Sequence, residues 1–584
     1  MRILGISGIH GTVEAKRAAW PGRDEREYRI SQGHDSAAAL VIDGQVVAAV
    51  AEERVNRRKH TGEFPAGAIA SCLELAAIDV SDIDELAHAF DFGPYKAAYL
   101  LGPDAAELWR GLYSREALLR RVAHALPDFP HERVVHVDHH LAHAASAYFT
   151  SGWEECLVIV VDGMGEIYSL SVYHGREGAL QRLHTVSAAD SIGILYGLVT
   201  LHLGFDFNAD EYKIMGLAPY GDPTRFAAFF DGQVSVDDAG SVHVPLLRLN
   251  RTREEREFHL ASRRRLTDAV VPPRDPEAEI EAVHRDVAAA LQDCLDRTMV
   301  GVCRRFAERT GLRRLALAGG VALNCTANGK LLQADVFDEI YVQPAAADDG
   351  SALGAALQRA SLHGRLPLRR QRVPFLGPGY PSTAVDEAVA GYAGAVDVTR
   401  FDSLDETVDE AARLIDEGRV LAWYRGRMEF GPRALGHRSI LADPGGADMR
   451  DRINAMVKMR EAFRPFAPAV TVEQVDRWFD VPVGTELPYM IVTVDVRPEH
   501  RDALPAITHV NGSARVQTVS AEDNAAFHAL LRAVGRRTGR EMLLNTSFNV
   551  KGQPIVNTPA EAIETFLGTG IDDLFLENVL VRKR

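Results

Sequence analysis

The sequence predicts an α/β protein of two domains, the first assembled from two similar halves. Three observations carry that expectation. At 584 residues the chain is too long to be built on one hydrophobic core. A buried-type strand followed by a carboxylate, a glycine and a helix occurs twice, first at L-V-I-V-V-D-G-M-G-E (157–166) and again at E-I-Y-V-Q…D-D-G-S-A-L-G (339–354). Residues 366–382, L-P-L-R-R-Q-R-V-P-F-L-G-P-G-Y-P-S, crowd proline, glycine and arginine together, and the chain changes character beyond them. That stretch divides the chain into domains 1–366 and 367–584.

Bulk properties narrow the class. Hydrophobic residues make up 46% and charged residues 25%, ordinary for a globular enzyme. A formal charge of −16 argues against nonspecific binding to nucleic acid. No apolar run approaches the roughly 20 residues that span a bilayer, which argues against a membrane partner. The opening M-R-I-L-G-I-S-G reads as a short strand rather than a secretory signal. Five scattered cysteines with no C-x-x-C pair suit reduced thiols in the cytoplasm.

Taken in order, residues 2–7 form the first strand, and polar, non-periodic residues 12–32 read as an exposed insertion. Two strands then flank an Asp43-Gly44 turn, a strong hairpin signal. His34, Asp35 and Ser36 precede that hairpin and suit a turn as readily as a chemical role. Helices follow at 66–77 and 105–126. Within H-V-D-H-H-L-A-H-A-A-S-A-Y (136–148), Asp138 is the expected N-cap, and Leu141, Ala145 and Tyr148 form the expected buried stripe. His139 and His143 stand four apart, one turn apart on another face, so both imidazoles can reach one ion. Asp162 closes the next strand, and Gly163 and Gly165 allow close approach of a bound anion. Two histidines with a carboxylate suit iron, zinc or manganese. The alternative is a helix-capping histidine pair beside an ordinary strand-end aspartate.

A strand at 168–173 and a helix at 192–203 lead to G-F-D-F-N-A-D-E-Y-K-I-M-G. There Lys213 either holds a phosphate or acidic partner, or pairs with Glu211. Residues 223–275 have the weakest periodicity and read as a connecting insertion. A long helix at 282–310 precedes a strand and G-G-V-A-L-N. Gly319 and Gly320 there offer backbone N–H groups to a phosphate or sugar, although close strand–helix packing needs glycine just as often. The second strand–carboxylate–glycine pattern makes Asp348 the best candidate to complete the shell of His139, His143 and Asp162. Two such halves facing one cleft match the layout of the actin-like, sugar-kinase-like duplicated fold.

The second domain carries arginines on loops fixed by glycine and proline. Y-R-G-R-M-E-F-G-P-R-A-L-G-H-R-S holds Arg425, Arg427, Arg433 and Arg438. V-K-M-R-E-A-F-R-P-F-A-P adds Lys458, Arg460 and Arg464. Further on stand Arg515, Asn545, Ser547, Asn549 and Lys551. Guanidinium forks on rigid loops suit a polyanion such as a nucleoside triphosphate or acyl phosphate. Surface ion pairing is the competing explanation.

These stretches together, from H-D-S-A-A through H-H-L-A-H-A-A-S-A-Y, V-D-G-M-G-E, K-I-M-G-L-A, A-G-G-V-A-L-N, D-D-G-S-A-L-G-A-A, F-G-P-R-A-L-G-H-R-S and R-P-F-A-P to N-T-S-F-N, resemble the NodU/CmcH/TobZ family of O-carbamoyltransferases. The resemblance implies an N-terminal actin-like (ASKHA-type) domain similar to the tRNA threonylcarbamoyl transferase, and a C-terminal YrdC-like α/β domain. It implies that carbamoyl phosphate and ATP, with magnesium, give carbamoyl adenylate in the second domain. A small-molecule hydroxyl acceptor, such as a secondary metabolite or antibiotic, then takes the carbamoyl group in the first. Position by position, it implies iron(II) or another divalent transition metal on His139, His143, Asp162 and Asp348. His34 and Lys213 become the candidate catalytic residues, His34 as the base. Gly163, Gly165, Gly319, Gly320 and Asn324 would hold the nucleotide. Arg427, Arg433, Lys458, Arg464, Arg515, Asn545 and Ser547 would hold carbamoyl phosphate and the triphosphate. A homodimer is compatible with the family. Residues 12–32 depart from the pattern, in which the first strand runs almost directly into H-D-S-A. A tRNA-modifying transferase and an actin-like small-molecule kinase are the rival readings. The net charge disfavours the first, and magnesium's preference for oxygen ligands disfavours the second.

Overall fold

The computed structural model describes residues 1–100, 103–458, 461 and 463–584, without the side chains of residues 98, 103, 104 and 458. Two compact units emerge, one of Met1–Asn56 and His60–Gln371, the other of Arg57–Lys59 and Arg372–Arg584. The boundary therefore falls after residue 371, not 366. The reason is local: the Gln371 N–H donates to the Thr150 carbonyl at 2.9 Å, and the Arg370 backbone packs directly on Gly152, tying the proline-rich stretch to the first unit.

The first unit holds two five-stranded sheets. In one, β1 (Arg2–Ile6), β2 (Ala37–Ile42), β3 (Gln45–Ala51), β4 (Glu85–His88) and β5 (Val134–His136) lie in the order β3-β2-β1-β4-β5. In the other, β6 (Glu155–Gly165), β7 (Tyr168–Arg176), β8 (Ala179–Ser187), β11 (Arg314–Ala318) and β12 (Glu339–Val342) lie in the order β12-β11-β6-β7-β8. A two-residue ribbon, β9 (Ser235–Val236) with β10 (Val242–His243), stands apart. Each large sheet begins with a three-strand antiparallel meander, and two further strands extend it in parallel, β4 on β1 then β5 on β4, and β11 on β6 then β12 on β11. One topology is thus used twice. The β2–β3 turn has positive φ at both Asp43 (50°) and Gly44 (79°), which is what a two-residue hairpin of matching twist requires.

The helix His139–Ser151 differs from expectation in its surroundings. All its residues except Leu141 are buried, so the anticipated stripe is not what orients it. It packs against the helix Asp348–His363 at very short range, because Gly354 has no side chain where a Cβ would stand 1.7 Å from the Ala142 carbonyl.

Two stretches read as insertions are ordered and cover each other. Residues 12–32 contain the helices Thr12–Ala19 and Glu25–Tyr28, and residues 223–275 contain Thr224–Asp231, Arg253–Phe258 and Leu260–Ala269. Phe258, fully buried, receives the Trp20 ring edge-on at 5.5 Å, the Lys16 ammonium at 4.6 Å and the Arg23 guanidinium at 4.3 Å. Arg263 pairs with Glu27 at 2.8 Å and Arg23 with Glu254. Neither segment has apolar periodicity because each takes its partners from the other.

The second unit is built on an eight-stranded mixed sheet. Its strands are β13 (Val396–Arg400), β14 (Leu421–Tyr424), β15 (Arg438–Ala442), β16 (Ala467–Thr471), β19 (Gln517–Val519), β20 (Met542–Ser547), β21 (Asp573–Leu576) and β22 (Val579–Lys583). Their order is β13-β22-β21-β14-β15-β20-β16-β19, and β17 (Thr493–Asp495) pairs separately with β18 (Ser513–Arg515). Both faces are covered: on β14, Leu421 and Trp423 join one apolar cluster while Ala422 and Tyr424 join the other. No helix among the described residues is long and apolar enough to cross a membrane.

Candidate active site and metal centre

Four of the sequence-predicted residues meet in the first unit. Suitable donor atoms of His139, His143, Asp162 and Asp348 lie within 4.8 Å of one another. Each arrives by a separate local device. Asp138 caps the histidine helix, its Oδ1 accepting the Leu141 N–H at 2.8 Å, and the four-residue spacing then sets both rings on one side. Asp162 sits where the β6–β7 register breaks between Val161 and Gly165, and at such a break a side chain leaves the ladder and turns elsewhere. Asp348 opens the helix that Gly354 lets approach His139–Ser151. The donors thus come from the C-terminal ends of strands, where open sheets place their chemistry.

The geometry suits a metal ion. His139 Nε2 stands 3.4 Å from Asp348 Oδ1 and 3.6 Å from Asp162 Oδ2, and His143 Nε2 lies 3.6 Å from Asp348 Oδ1. The two Nε2 atoms are 3.0 Å apart. His139 Nδ1 is 3.0 Å from the Ala89 carbonyl, an acceptor, so Nδ1 carries a proton and Nε2 is the nitrogen that faces the cluster. That second hydrogen bond and the Phe90 ring stacked at 4.0 Å fix the imidazole, as the outer partners of metal-bound histidines do. His143 Nδ1 has no hydrogen-bond partner among the described residues, so packing and the cluster itself orient that ring. Both histidines are fully buried. Burial alone would lower the His139 imidazole, but Asp348 and Asp162 outweigh it and hold it well above its ordinary value. Burial would raise the Asp162 carboxyl, yet the neighbouring histidines pull it below the usual range. Two carboxylates beside two imidazoles in a closed space call for positive charge, which a proton on His139 supplies here and a bound cation would supply in its place, and the donor set fits a divalent transition metal.

Glu166, at the end of V-D-G-M-G-E, is a buried carboxylate beside the cluster that sequence reasoning passed over. Its Oε1 accepts the Asp91 N–H at 2.7 Å and the His139 N–H at 3.0 Å, holding the start of the histidine helix. Burial pushes this carboxyl up to about 8. Its sequence signal was its place after two glycines, in a left-handed conformation with φ 47°.

His34 is buried, with Nε2 3.0 Å from Ser31 Oγ, and burial pushes its pKa down to about 4. Lys213 pairs with Asp210 at 2.9 Å. Among the nucleotide candidates, the Gly320 N–H donates to Asp162 Oδ1 at 3.0 Å, coupling the diglycine turn to the cluster. Gly319 holds φ 90° with Val161 where a Cβ would stand, and Gly165 leaves room for the His139 ring. The Gly163 carbonyl accepts from Ser191 Oγ at 2.6 Å. The Asn324 side chain caps the helix Cys325–Gln333 through the Ala327 N–H and exchanges two hydrogen bonds of 3.0 Å with Gln292, so its amide already serves the fold.

In the second unit, Asn545 Nδ2 donates to the Ala434 carbonyl at 3.1 Å and to Gln517 Oε1 at 2.8 Å, while Gln517 Nε2 donates to the Leu435 carbonyl at 2.9 Å. These bonds tie the loop of the half-buried Arg433 to β20, which carries Asn545 and Ser547, and to Gln517, two residues beyond Arg515. The Asn545 Oδ1 is buried without a partner among the described residues. Glu429 shapes the loop by accepting the N–H groups of Leu435, His437 and Arg438 at 2.8, 2.9 and 3.3 Å. Arg427 donates to the Gly377 carbonyl at 3.0 Å and to that of Leu376. Arg438 lies fully buried over the Tyr424 ring at 3.6 Å and donates to the carbonyls of Arg425 and Gly426. Arg425 donates to Asn578 Oδ1 at 3.0 Å, Arg464 lies 3.5 Å from Glu461, and Ser547 Oγ donates to Asn549. The Lys458 side chain and Arg460 lie outside the described residues.

Residues 29–97 and 111–357 match the family model for the carbamoyltransferase N-terminus, and residues 412–583 match that for the carbamoyltransferase C-terminus. Nodulation protein NolNO of Sinorhizobium fredii is 41% identical over 94% of this chain and 79% of its own length. Nodulation protein NolO of Bradyrhizobium diazoefficiens is 42% identical over 77% of this chain and 79% of its own. The 3'-hydroxymethylcephem-O-carbamoyltransferase of Amycolatopsis lactamdurans is 34% identical over 62% of this chain and 63% of its own. Solved structures align loosely; the ROK hexokinase of Thermus thermophilus, 16% identical over 61% of this chain and 97% of its own, has a TM-score of 0.29. With both halves matched and close relatives aligned along nearly the whole chain, the protein belongs to the carbamoyltransferase family and is a transferase.

Proposed function

We propose that the protein is an ATP-dependent O-carbamoyltransferase that uses carbamoyl phosphate, through carbamoyl adenylate, to carbamoylate a hydroxyl of a small molecule. The observation that carries this reading is the buried cluster of His139, His143, Asp162 and Asp348 inside a chain of this family. The repeated sheet topology of the first unit supports an actin-like duplicated fold, and the second unit takes the YrdC-like, adenylate-forming role.

Adenylate formation must balance. Carbamoyl phosphate loses its phosphoryl group to water, giving carbamate and inorganic phosphate. A carbamate oxygen then bonds to the α-phosphorus of magnesium-bound ATP, and pyrophosphate leaves with the bonding electrons. Arg433 and Arg515 supply guanidinium forks for these anions, and the open Asn545 carbonyl suits the carbamoyl amide. In the first unit the acceptor oxygen bonds to the carbamoyl carbon, the bond from that carbon to the adenylate oxygen breaks, and AMP leaves with the pair. His34, neutral because it is buried, takes the hydroxyl proton. The cluster residues would hold iron(II) or a similar ion, which when bound supplies a Lewis acid beside the attacked carbonyl. Glu166 keeps the histidine helix in register with that centre. The cephem O-carbamoyltransferase relative supports an alcohol acceptor, and imidazole ligands do not suit a magnesium-dependent kinase.

Labelled pyrophosphate should exchange into ATP only when carbamoyl phosphate is present. Exchange without carbamoyl phosphate, or none with it, removes the adenylate from the scheme.

A further inference from the structure

His34 makes one side-chain hydrogen bond among the described residues, and it comes from the stretch 29–33 just before it. Ser31 Oγ lies 3.0 Å from His34 Nε2. Three separate elements hold that stretch still. The Asn208 side-chain amide spans two of its carbonyls, donating to Arg29 and to Ser31 at 3.1 Å each. The Arg29 guanidinium returns the contact, donating to the carbonyls of Phe207 at 3.0 Å and Asn208 at 3.2 Å. Gln32 Nε2 donates to the Glu166 carbonyl at 3.3 Å, and the Ile9 N–H donates to the Gly33 carbonyl at 3.0 Å. Asn208 is itself fixed in a left-handed conformation, φ 55°, with its N–H given to Glu211 at 2.8 Å. A serine hydroxyl braced on this many sides is a rigid reference point for the ring it touches.

We propose that Ser31 is a positioning residue: it accepts the Nε2–H of His34, so that Nδ1 carries the lone pair which takes the acceptor's proton, and Asn208 holds Ser31 in place. A neutral imidazole has one N–H and one lone pair, so fixing one nitrogen assigns the other. Burial, which keeps His34 neutral, makes that assignment matter near pH 7. This inference rests on the reading of His34 as the base.

Two readouts on the full chain test it. In protein labelled with 15N-histidine, with His34→Ala identifying the signal, wild type should show His34 protonated at Nε2. Ser31→Ala should show a mixture of tautomers, and Ser31→Thr, which keeps the hydroxyl, the wild-type pattern. In the second readout, AMP release from ATP and carbamoyl phosphate with water as the acceptor should fall about 10-fold in Ser31→Ala and recover in Ser31→Thr, within the range a general base contributes. Pyrophosphate exchange should stay at the wild-type rate in each variant. Asn208→Ala should reproduce Ser31→Ala more weakly. A wild-type His34 protonated at Nδ1, or a Ser31→Ala variant with the wild-type tautomer and rate, overturns the proposal. If His34→Ala itself keeps full AMP release, the base assignment fails, and that result is distinct from a silent Ser31→Ala.

Discussion

The histidine–carboxylate cluster of the first unit and the arginine loops of the second were both expected from sequence, and the structure treats them differently. All four predicted metal-type ligands converge within 4.8 Å. Among the arginines, Arg438 is buried and donates to loop carbonyls and Arg427 is turned onto backbone carbonyls, while Arg433 and Arg515 are half-buried. The difference follows from the side chains. A buried imidazole or carboxylate offers one or two acceptor sites, and a cluster of them repels itself unless a cation joins it. A guanidinium has five donors and satisfies loop carbonyls as well as it grips a phosphate. Convergence of acceptors thus points to a ligand, while a run of arginines divides between ligand and loop.

That division can be broken by substituting two arginines of the same loop. Arg433→Ala should cut carbamoyl-phosphate-dependent pyrophosphate exchange by about 10- to 100-fold, the value of one charge-assisted hydrogen bond. Arg438→Ala should instead unfold the second unit at lower urea, with a cost of about 3 kcal/mol or more from the carbonyls it strands. Equal loss of stability in both variants would erase the distinction. A smaller effect sharpens the other side of the comparison. Gly354→Ala, beside the Ala142 carbonyl that precedes His143, should push the Asp348 helix off that carbonyl at a cost of about 1–3 kcal/mol, and bound metal per chain should fall below wild type. Unchanged metal content would mean that helix spacing does not set the cluster.

What the sequence revealed was mainly local. The i, i+4 histidines, the Asp138 cap and the Asp43-Gly44 hairpin each depend on residues a few positions apart, and the helix Ala282–Thr310 came out with its expected bounds. Asp348 was legible only because the strand–carboxylate–glycine pattern repeats, and both copies, at β6 and β12, turn out to lie in one sheet, so the repeat marks two strand ends of the same half. Glu166 was hidden because its partners, the N–H groups of Asp91 and His139, carry no side-chain signature. Lys16 and Phe258 lie in polar stretches that look unstructured until each is placed beside the other. Asn324 and Arg427 were recognisable as polar residues in fixed turns, but whether such a group faces a ligand or its own backbone depends on contacts made elsewhere in the chain.

The central claim is that one buried centre serves acyl transfer alone and is separate from adenylate formation. Its most direct test follows metal content and both half-reactions together in His139→Ala. Bound transition metal should be lost and AMP-releasing transfer should fall by roughly a thousand-fold, the scale of a lost Lewis acid, while pyrophosphate exchange stays at the wild-type rate. A variant that keeps its metal and transfers normally, or one that loses exchange in step with transfer, would contradict the account.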